Sequence, residues 1–261
     1  MQQMTESVYN DLINLKKDFK KIKEMGYVKG ITNNRNASGF TFEKLVKSTS
    51  GDICIPDYGN IELKVLRNYK LASINLFSSA PDGKYECGNH WLAENYGYKN
   101  DELFCGKVKE YKNELYCSFS GKYKKILKSG YKFTAKVDYI SCRIYLNIYN
   151  SKNQLISKDD IYWDFDTIED KVIRKLKYLA IINVNKKIID ENNYYKYTDI
   201  KYYKLKSIST FYHLIEEGIV KINFNVGVYK TGEKIGQYYD HGTSFNILKK
   251  DISKLYDYLS I

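Results

Sequence analysis

IPDYGNIELKVLR (residues 55–67) is the stretch of sequence that decides the fold. Its Gly-Asn dipeptide is typical of a turn, and the apolar residues on either side predict two strands, so we expect a β-hairpin over residues 51–66. Residues i and i+2 of a strand point to the same face, which places Glu62 beside Lys64. The turn would fold Asp57 back against Glu62. The stretch therefore predicts two carboxylates and one ammonium group in a small site.

Such a cluster has the chemistry of a divalent-metal site that acts on phosphate esters. Two neighbouring carboxylates repel each other unless a cation lies between them, and hard oxygen ligands of this kind suit Mg²⁺. Asp57 and Glu62 are the expected metal ligands, while Lys64 would orient an attacking water and stabilise the charge that develops at phosphorus. The alternative is a chance match on a solvated hairpin, because the chain is rich in Asp, Glu and Lys.

The composition is that of a globular protein with a basic surface. The 261 residues are 43% hydrophobic and 28% charged, which is too apolar for disorder. Lys and Arg number 42 and Asp and Glu 31, so the formal net charge is +11. This excess favours a polyanionic partner, nucleic acid first and an acidic membrane surface second. A basic surface that only keeps the protein soluble explains the charge equally well.

Other features predict a cytoplasmic protein that does not enter a membrane. No segment approaches the roughly 20 apolar residues of a membrane span, and the first residues lack the apolar core of a signal peptide. The five cysteines are scattered and are interpreted as reduced thiols. Cys87-x-x-His90 near Cys105 suggests zinc, but without a second close pair, buried or incidental thiols are the preferred interpretation.

Hydrophobic periodicity predicts a chain that mixes helices and strands. The predicted helices cover residues 5–25, 41–46, 166–180, 209–217 and a terminal segment from about Asp251. Besides the hairpin, the predicted strands cover residues 73–77, 131–140, 142–150, 219–229 and 245–248. No linker or low-complexity tract separates these elements, so we expect two lobes that pack together rather than two tethered domains.

Six blocks of sequence carry a resemblance to a known family. They are GFTFEKL (39–45), IPDYGNIELKVLR (55–67), NLFSSAPDG (75–83), YWDFDTIEDKVIRKLKYLA (162–180), LIEEGIVKINFNVG (214–227) and DHGTSFNI (240–247). In content and in order they resemble the MvaI/BcnI family of type II restriction endonucleases, whose relatives include the mismatch-repair nicking enzyme MutH. The Pro-Asp and Glu-x-Lys elements of the second block match the signature of the PD-(D/E)XK nucleases.

The resemblance implies a Mg²⁺-dependent endonuclease that cleaves double-stranded DNA to 5′-phosphate and 3′-hydroxyl ends. It implies an α/β PD-(D/E)XK core with a mixed sheet, in which a catalytic lobe (1–105) and a recognition lobe (106–261) form a DNA-binding cleft. The predicted helix 166–180 could instead pack on the catalytic sheet. A monomer, and a cognate DNA methyltransferase in the same system, are also expected from the resemblance.

By the same resemblance Asp57, Glu62 and Lys64 would be the catalytic residues, with Asp57 and Glu62 as metal ligands. Glu43 lies on the predicted helix 41–46, where nucleases of this fold often place a further carboxylate near the metal. The alternative, that Glu43 is simply an exposed residue of this helix, explains the sequence equally well.

The chain departs from the family pattern where relatives read C·G pairs. Asn223 and Asn225 replace the Asp and Arg of a D-x-R strand, and Asn246 replaces the Arg of an H-G-T-G-F-R-I block. Arg contacts guanine O6 and N7, whereas Asn suits adenine N6 and N7, so we expect recognition shifted toward A·T pairs. The alternative is drift that removed specificity. His241, in the Asp-His-Gly-Thr turn, is either a further DNA contact or a residue that stabilises the turn.

Two other functions use the same features. A MutH-like nicking endonuclease would use the same catalytic residues but cut one strand. A non-catalytic DNA-binding protein would bind with steep salt dependence and without a metal. Clustered carboxylates that face phosphate have no use in a protein that only binds DNA.

Overall fold

The structure is a computed structural model that describes residues 4–48, 55–67, 72–83, 88–99, 112–122, 125–157 and 160–261. The helices are α1 (Glu6–Glu24), α2 (Ala37–Leu45), α3 (Gly88–Tyr96), α4 (Phe165–Leu176), α5 (Ile208–Glu216) and α6 (Ile252–Leu255). The strands are β1 (Val28–Lys29), β2 (Glu62–Arg67), β3 (Ser73–Ser78), β4 (Asp82–Gly83), β5 (Leu115–Phe119), β6 (Lys125–Ile126), β7 (Lys132–Asp138), β8 (Arg143–Tyr149), β9 (Ile161–Asp164), β10 (Tyr178–Ile189), β11 (Asn192–Leu205), β12 (Lys221–Val228), β13 (Tyr238–Leu248) and β14 (Tyr256–Leu259). None of the helices in these ranges is long and apolar enough to cross a membrane.

The chain divides into two compact units, each built from separate segments. The first unit comprises Met1–Ile74, Asp170–Ile208 and Leu248–Ile261, and the second comprises Asn75–Glu169 and Ser209–Ile247. This division differs from the predicted split at residues 105 and 106, because strands from the second half of the chain complete the sheet that begins with β2. The predicted alternative for the helix at 166–180 is closer, since the second half of α4 belongs to the first unit.

The first unit is a mixed sheet, and helices α1 and α2 pack on one of its faces. The strands lie in the order β1-β11-β10-β2, and β14 also pairs with β11. Strand β2 runs parallel to β10 and the other pairs are antiparallel, which confirms the predicted α/β fold with a mixed sheet. Helix α1 turns one apolar stripe onto the sheet, where it packs against Leu63, Ala180 and Ile182. That stripe consists of Val8, Leu12, Leu15, Phe19 and Ile22.

The second unit contains two sheets around an aromatic core. One sheet has the strand order β3-β13-β12-β5 and the other β4-β9-β8-β7-β6. Trp163 of β9 is fully buried, and its ring lies close to Phe224 and Phe245 of the other sheet. Its indole N–H donates to the carbonyl of Ser79 at 2.9 Å. Burial of an aromatic ring with its polar atom satisfied is strongly stabilising, so Trp163 is a core residue.

Three predicted elements are wrong in part. Residues 55–57 do not form a strand: an antiparallel bridge between Tyr58 and Ile61 closes the turn, and β2 pairs with β10 instead of forming a hairpin. The helix predicted to reach residue 180 ends at Leu176, where β10 soon begins. The predicted terminal helix stops at Leu255 and continues as β14. The first half of the predicted hairpin, residues 51–54, lies outside the described residues.

Candidate active site

Glu62 and Lys64 project from the same face of β2, near the start of this strand, directly after the turn. The intervening Leu63 points into the core of the first unit, so Glu62 and Lys64 occupy the opposite face. Glu62 is only 1% exposed, and the Lys64 ammonium lies 2.7 Å from its Oε1 atom. The structure therefore brings the predicted carboxylate and lysine into direct contact, with the carboxylate at the bottom of the site.

Asp57 is held against the start of β2 by the tight turn between them. Its Oδ2 atom accepts a hydrogen bond from the backbone N–H of Leu63 at 3.0 Å, and its carbonyl accepts one from the Ser48 hydroxyl. Gly59 in this turn has a φ of +55°, and a Cβ there would overlap the carboxylate of Asp11. Glycine is thus required both by the backbone and by the close approach of α1.

Burial dominates the electrostatics of Glu62. Burial and the charge of Asp57 raise the pKa of this carboxyl and Lys64 and Lys175 lower it, so that it lies at about 7. The negative charge of Asp57 is thus felt at Glu62, as expected for two carboxylates that share one site. Two lysines do not fully compensate the burial of the acid.

Glu43 belongs to the same cluster. It is half-buried on α2, and burial raises its pKa, with a further contribution from the charge of Asp57 and opposing contributions from Lys64 and Lys175. A freely exposed helix residue would not feel these groups. The structure therefore brings Glu43, Asp57, Glu62 and Lys64 together, as the sequence predicted for their positions.

Sequence reasoning missed two further residues of this cluster. Lys175, in the last turn of α4, lies 3.5 Å from Glu62 Oε1 and is only 16% exposed. Tyr256, at the start of β14, is buried, and the Glu62 carboxylate adds to the effect of burial in raising its pKa. Neither residue belongs to a local motif: Lys175 precedes β10, which pairs with β2, and Tyr256 lies on β14, which pairs with β11.

The donor set fits a magnesium ion held mainly by water and substrate. Among the described residues no group of three or more His, Cys, Asp or Glu side chains is arranged to hold a metal by itself. Glu62 Oε2, however, is buried and has no hydrogen-bond partner in the described part of the chain. A buried, unsatisfied carboxylate oxygen beside a second carboxylate suits Mg²⁺, which commonly takes one or two protein carboxylates and fills its other positions with waters and phosphates. Cys87 and Cys105, the cysteines of the zinc alternative, lie outside the described residues.

In the second unit, the predicted DNA-reading residues cluster on one face of the β3-β13-β12-β5 sheet. Strand β12 buries Ile222, Phe224 and Val226 on one side, so Asn223 and Asn225 share the other side and are half-buried. Asn223 lies opposite Ser244 of β13, and Lys221 lies opposite Asn246. We call this surface the amide face. It consists of Asn223, Asn225, His241, Ser244 and Asn246.

Two asparagines of the amide face differ in their hydrogen bonding. Asn246 is 8% exposed and donates its amide N–H to the Ser244 hydroxyl at 2.8 Å. Asn223 Oδ1 is buried and has no hydrogen-bond partner among the described residues. Asn246 is therefore tied to its neighbour, whereas Asn223 keeps an acceptor that a ligand could satisfy.

A β-bulge places His241 next to Asn225. The pairing between β12 and β13 shifts after Phe224, so that His241 and Gly242 together oppose Asn225, and Gly242 has a φ of +78°. His241 is exposed, with its ring 5.1 Å from that of Tyr239. Bulges often re-aim side chains at functional sites, and this one sets His241 beside Asn225 in the pairing of β12 with β13.

A buried asparagine that the sequence analysis did not single out fixes this bulge. Asn89, on α3, donates to Asp240 Oδ2 at 2.8 Å and accepts from the Thr243 hydroxyl at 2.7 Å. Asp240 in turn accepts from the N–H of Gly242 at 2.7 Å. These hydrogen bonds fix the Asp-His-Gly-Thr segment on both sides of His241.

Comparisons with known proteins identify the family to which the chain is similar. The model of the MvaI/BcnI restriction endonuclease family matches residues 16–256. The structure is also similar to the solved "Restriction endonuclease MvaI-cognate DNA substrate complex", with a TM-score of 0.83, 26% identity, and coverage of 98% of this chain and 99% of that chain. For "Restriction endonuclease MvaI in the absence of DNA" the TM-score is 0.59, with 26% identity and 99% of each chain covered. A search of curated proteins found no match.

The family match spans most of the chain, and it confirms the resemblance inferred from the six sequence blocks. The similarity to MvaI extends over nearly the full length of both proteins and includes the mixed sheet that carries Glu62 and Lys64. The chain therefore belongs to the MvaI/BcnI restriction endonuclease family and is a type II site-specific deoxyribonuclease.

Proposed function

We propose that this enzyme uses Mg²⁺ to hydrolyse both strands of duplex DNA, with Asp57, Glu62 and Lys64 as catalytic residues and Glu43 as an accessory carboxylate. One observation carries the proposal. The buried Glu62 carboxylate contacts Lys64 through one oxygen, while its other oxygen has no partner among the described residues. A carboxylate left in this state is costly unless a ligand completes it.

Asp57 and Glu62 would hold the ion. When bound, Mg²⁺ would supply positive charge to the phosphoryl group and lower the pKa of a water molecule. Lys64 would orient a water molecule toward phosphorus and stabilise the added negative charge in the transition state. The water oxygen would form a bond to phosphorus as the bond from phosphorus to the 3′ oxygen breaks; the water gives up a proton to solvent and the 3′ oxygen takes one up, which leaves a 5′-phosphate and a 3′-hydroxyl. Lys175 adjusts the charge balance around Glu62, and Glu43 acts on the site through its interactions with Asp57 and Lys64.

In this proposal the amide face reads the DNA sequence and favours A·T pairs. Asparagine presents one acceptor and one donor group, which match adenine N6 and N7 in the major groove, whereas it cannot reproduce the contacts of Arg with guanine. The unpartnered Oδ1 of Asn223 supports a direct contact. Asn225 and His241 lie at the bulge beside it, and Asn246, held by Ser244, would contribute mainly by positioning.

Further parts of the proposal concern the setting in which the enzyme works. The solved MvaI complex contains its cognate DNA substrate, and we propose duplex DNA as the substrate here too. The first unit, with the Glu62 cluster, would be catalytic, and the second, with the amide face, would recognise DNA. We also propose a cytoplasmic monomer that acts beside a DNA methyltransferase of the same specificity.

Cleavage of plasmid and genomic DNA with Mg²⁺ tests the catalytic part. We expect discrete linear fragments, and sequencing of their ends should locate the site and the end chemistry. Lys64→Ala and Asp57→Asn should abolish cutting but leave DNA binding intact, whereas Lys16→Ala, a change far from the cluster in sequence, should leave both unchanged. Accumulation of open circles would instead identify a nicking enzyme. Binding without any cutting, across several divalent metals, would contradict the enzyme's proposed mechanism.

The same fragments test the specificity. We expect at least one A·T pair in the recognised site at a position contacted by the amide face. Mapped sites that consist only of C and G would contradict the A·T proposal without affecting the catalytic part. Conversion of Asn223 to Ala should then relax the preference at one base pair.

A further inference from the structure

The amide face continues beyond Asn225 into a pair of tyrosines that the comparisons assign to no function. Along β12 the residues on this face are Lys221, Asn223, Asn225 and Gly227. Tyr239 of β13 lies directly opposite Gly227, and Tyr116 of β5 lies opposite Asn225. The hydroxyl groups of these two tyrosines are hydrogen-bonded to each other.

Gly227 makes room for this pair. A Cβ at position 227 would overlap the Tyr116 hydroxyl and the end of the Tyr239 ring. The φ of Gly227 is not in the left-handed region, so the backbone itself would accept another residue. Glycine is required here by space, and the space is filled by two phenol groups that meet above the strand.

The pair retains hydrogen-bonding capacity after its internal bond is made. Burial raises the pKa of Tyr116, and the hydrogen bond with Tyr239 raises it further, so this phenol keeps its proton at neutral pH. Each hydroxyl has one donor and two acceptor sites. One donor is used between the two oxygens, which leaves a donor and an acceptor side by side on half-buried side chains.

The surroundings favour a base edge as the ligand of these groups. The ring of Tyr239 lies 5.1 Å from that of His241 and 5.1 Å from that of Tyr229, so the hydroxyl pair stands on a fixed aromatic support. Phenols with few rotatable bonds lose little entropy on binding. The pair also continues the row of Asn223 and Asn225, which places it in line with the next position along a DNA groove.

We propose that Tyr116 and Tyr239 are specificity-determining residues that together read one base pair next to the pair contacted by Asn225, with a donor and an acceptor suited to adenine N7 and N6. The inference rests on the proposed role of the amide face in reading DNA. Loss of either hydroxyl removes the donor and acceptor combination, so discrimination at that single base pair should fall about tenfold or more.

The experiment compares binding profiles on a library of duplexes with randomised sequence, selected in EDTA so that no cleavage occurs. The variants are Tyr116→Phe, Tyr239→Phe and Gly227→Ala, which displaces the pair without removing a hydroxyl. Tyr162→Phe is the control, because Tyr162 is another half-buried strand tyrosine of the second unit whose ring packs under Arg143. We expect the first three to lose preference at the same base pair, and the control to keep the wild-type profile.

Each outcome decides the inference. Unchanged profiles for Tyr116→Phe and Tyr239→Phe would overturn it while leaving the proposed function intact. Equal loss of preference at all positions would also overturn it, since that result means general damage to the sheet. A wild-type protein without any sequence preference would overturn both proposals together. If one variant fails to fold, judged by thermal unfolding, the other two still decide the matter.

Discussion

Replacing Glu62 with glutamine is predicted to stabilise the metal-free protein above neutral pH while abolishing cleavage. Burial raises the pKa of Glu62 from its ordinary value of 4.5 to about 7. Between these two values the unfolded chain has released a proton that the folded chain still holds, so the free energy of unfolding falls as the pH rises. The effect begins near the lower value and is complete above the higher one. Glutamine cannot ionise and escapes it.

The size of the effect follows from the pKa. A tenfold change in a proton-binding constant corresponds to about 1.4 kcal/mol, so the ionisation of Glu62 costs the wild-type protein up to about 3 kcal/mol by roughly pH 8. Because Glu62 is only 1% exposed, solvent does not screen this cost appreciably. We therefore expect Glu62→Gln and wild type to have similar stability near pH 5 and to differ by about 3 kcal/mol near pH 8.

Urea unfolding in EDTA at several pH values provides the measurement. Glu24→Gln is the matched control, since Glu24 is exposed at the end of α1 in the same unit, and its stability should follow that of wild type at every pH. A difference between Glu62→Gln and wild type that stays constant with pH would refute the reasoning. So would a Glu62→Gln protein that is less stable than wild type near pH 8.

Three other predictions concern the same two sites. Mg²⁺ should raise the melting temperature of the wild-type protein but not of Glu62→Gln, because a ligand stabilises only the form that binds it. An equal rise in both proteins would contradict the role of Glu62 as a metal ligand. Lys175→Met should shift the acid limb of the profile of kcat/KM against pH to higher pH by up to about one unit, because Lys175 lowers the pKa of Glu62. An acid limb at the wild-type pH would exclude this effect of Lys175 on Glu62. Asn89→Ala should lower the free energy of unfolding in urea by about 1–3 kcal/mol and weaken specific DNA binding, because Asp240 and Thr243 lose the buried Asn89 side chain. A variant as stable as wild type would contradict this prediction.

The Glu62 cluster could be predicted in part because its core is local. Asp57, Glu62 and Lys64 lie within one short stretch, and strand geometry alone places the last two side by side. Lys175 could not be found in this way. It reaches Glu62 because β10 pairs in parallel with β2, with Leu179 opposite Glu62, and parallel pairing leaves no local signal at either strand.

The errors in the fold have a common physical cause. The apolar run of β10 continues the stripe of α4, and a strand buried on both faces lacks the alternation that would distinguish it from a helix. The turn that follows β10 also carries no recognisable sequence signal. Asp190 and Glu191 both have positive φ, at 45° and 62°, in a turn between β10 and β11 where Asn-Gly would have announced a hairpin. Helix α1, by contrast, has a single apolar stripe and was predicted to within a residue at each end.

The discontinuous first unit has a consequence for the stage of synthesis at which the Glu62 cluster can form. A nascent chain that has emerged only as far as residue 105 already carries Asp57, Glu62 and Lys64, yet it lacks β10, which pairs with their strand, and Lys175, which contacts Glu62. Strand β14 completes the sheet only later. Because pairing between distant segments forms slowly, the Glu62 cluster is complete only after β10 has been synthesised and has paired with β2. A chain that ends before α4 therefore carries these three side chains without β10 and Lys175, the partners that fix their geometry.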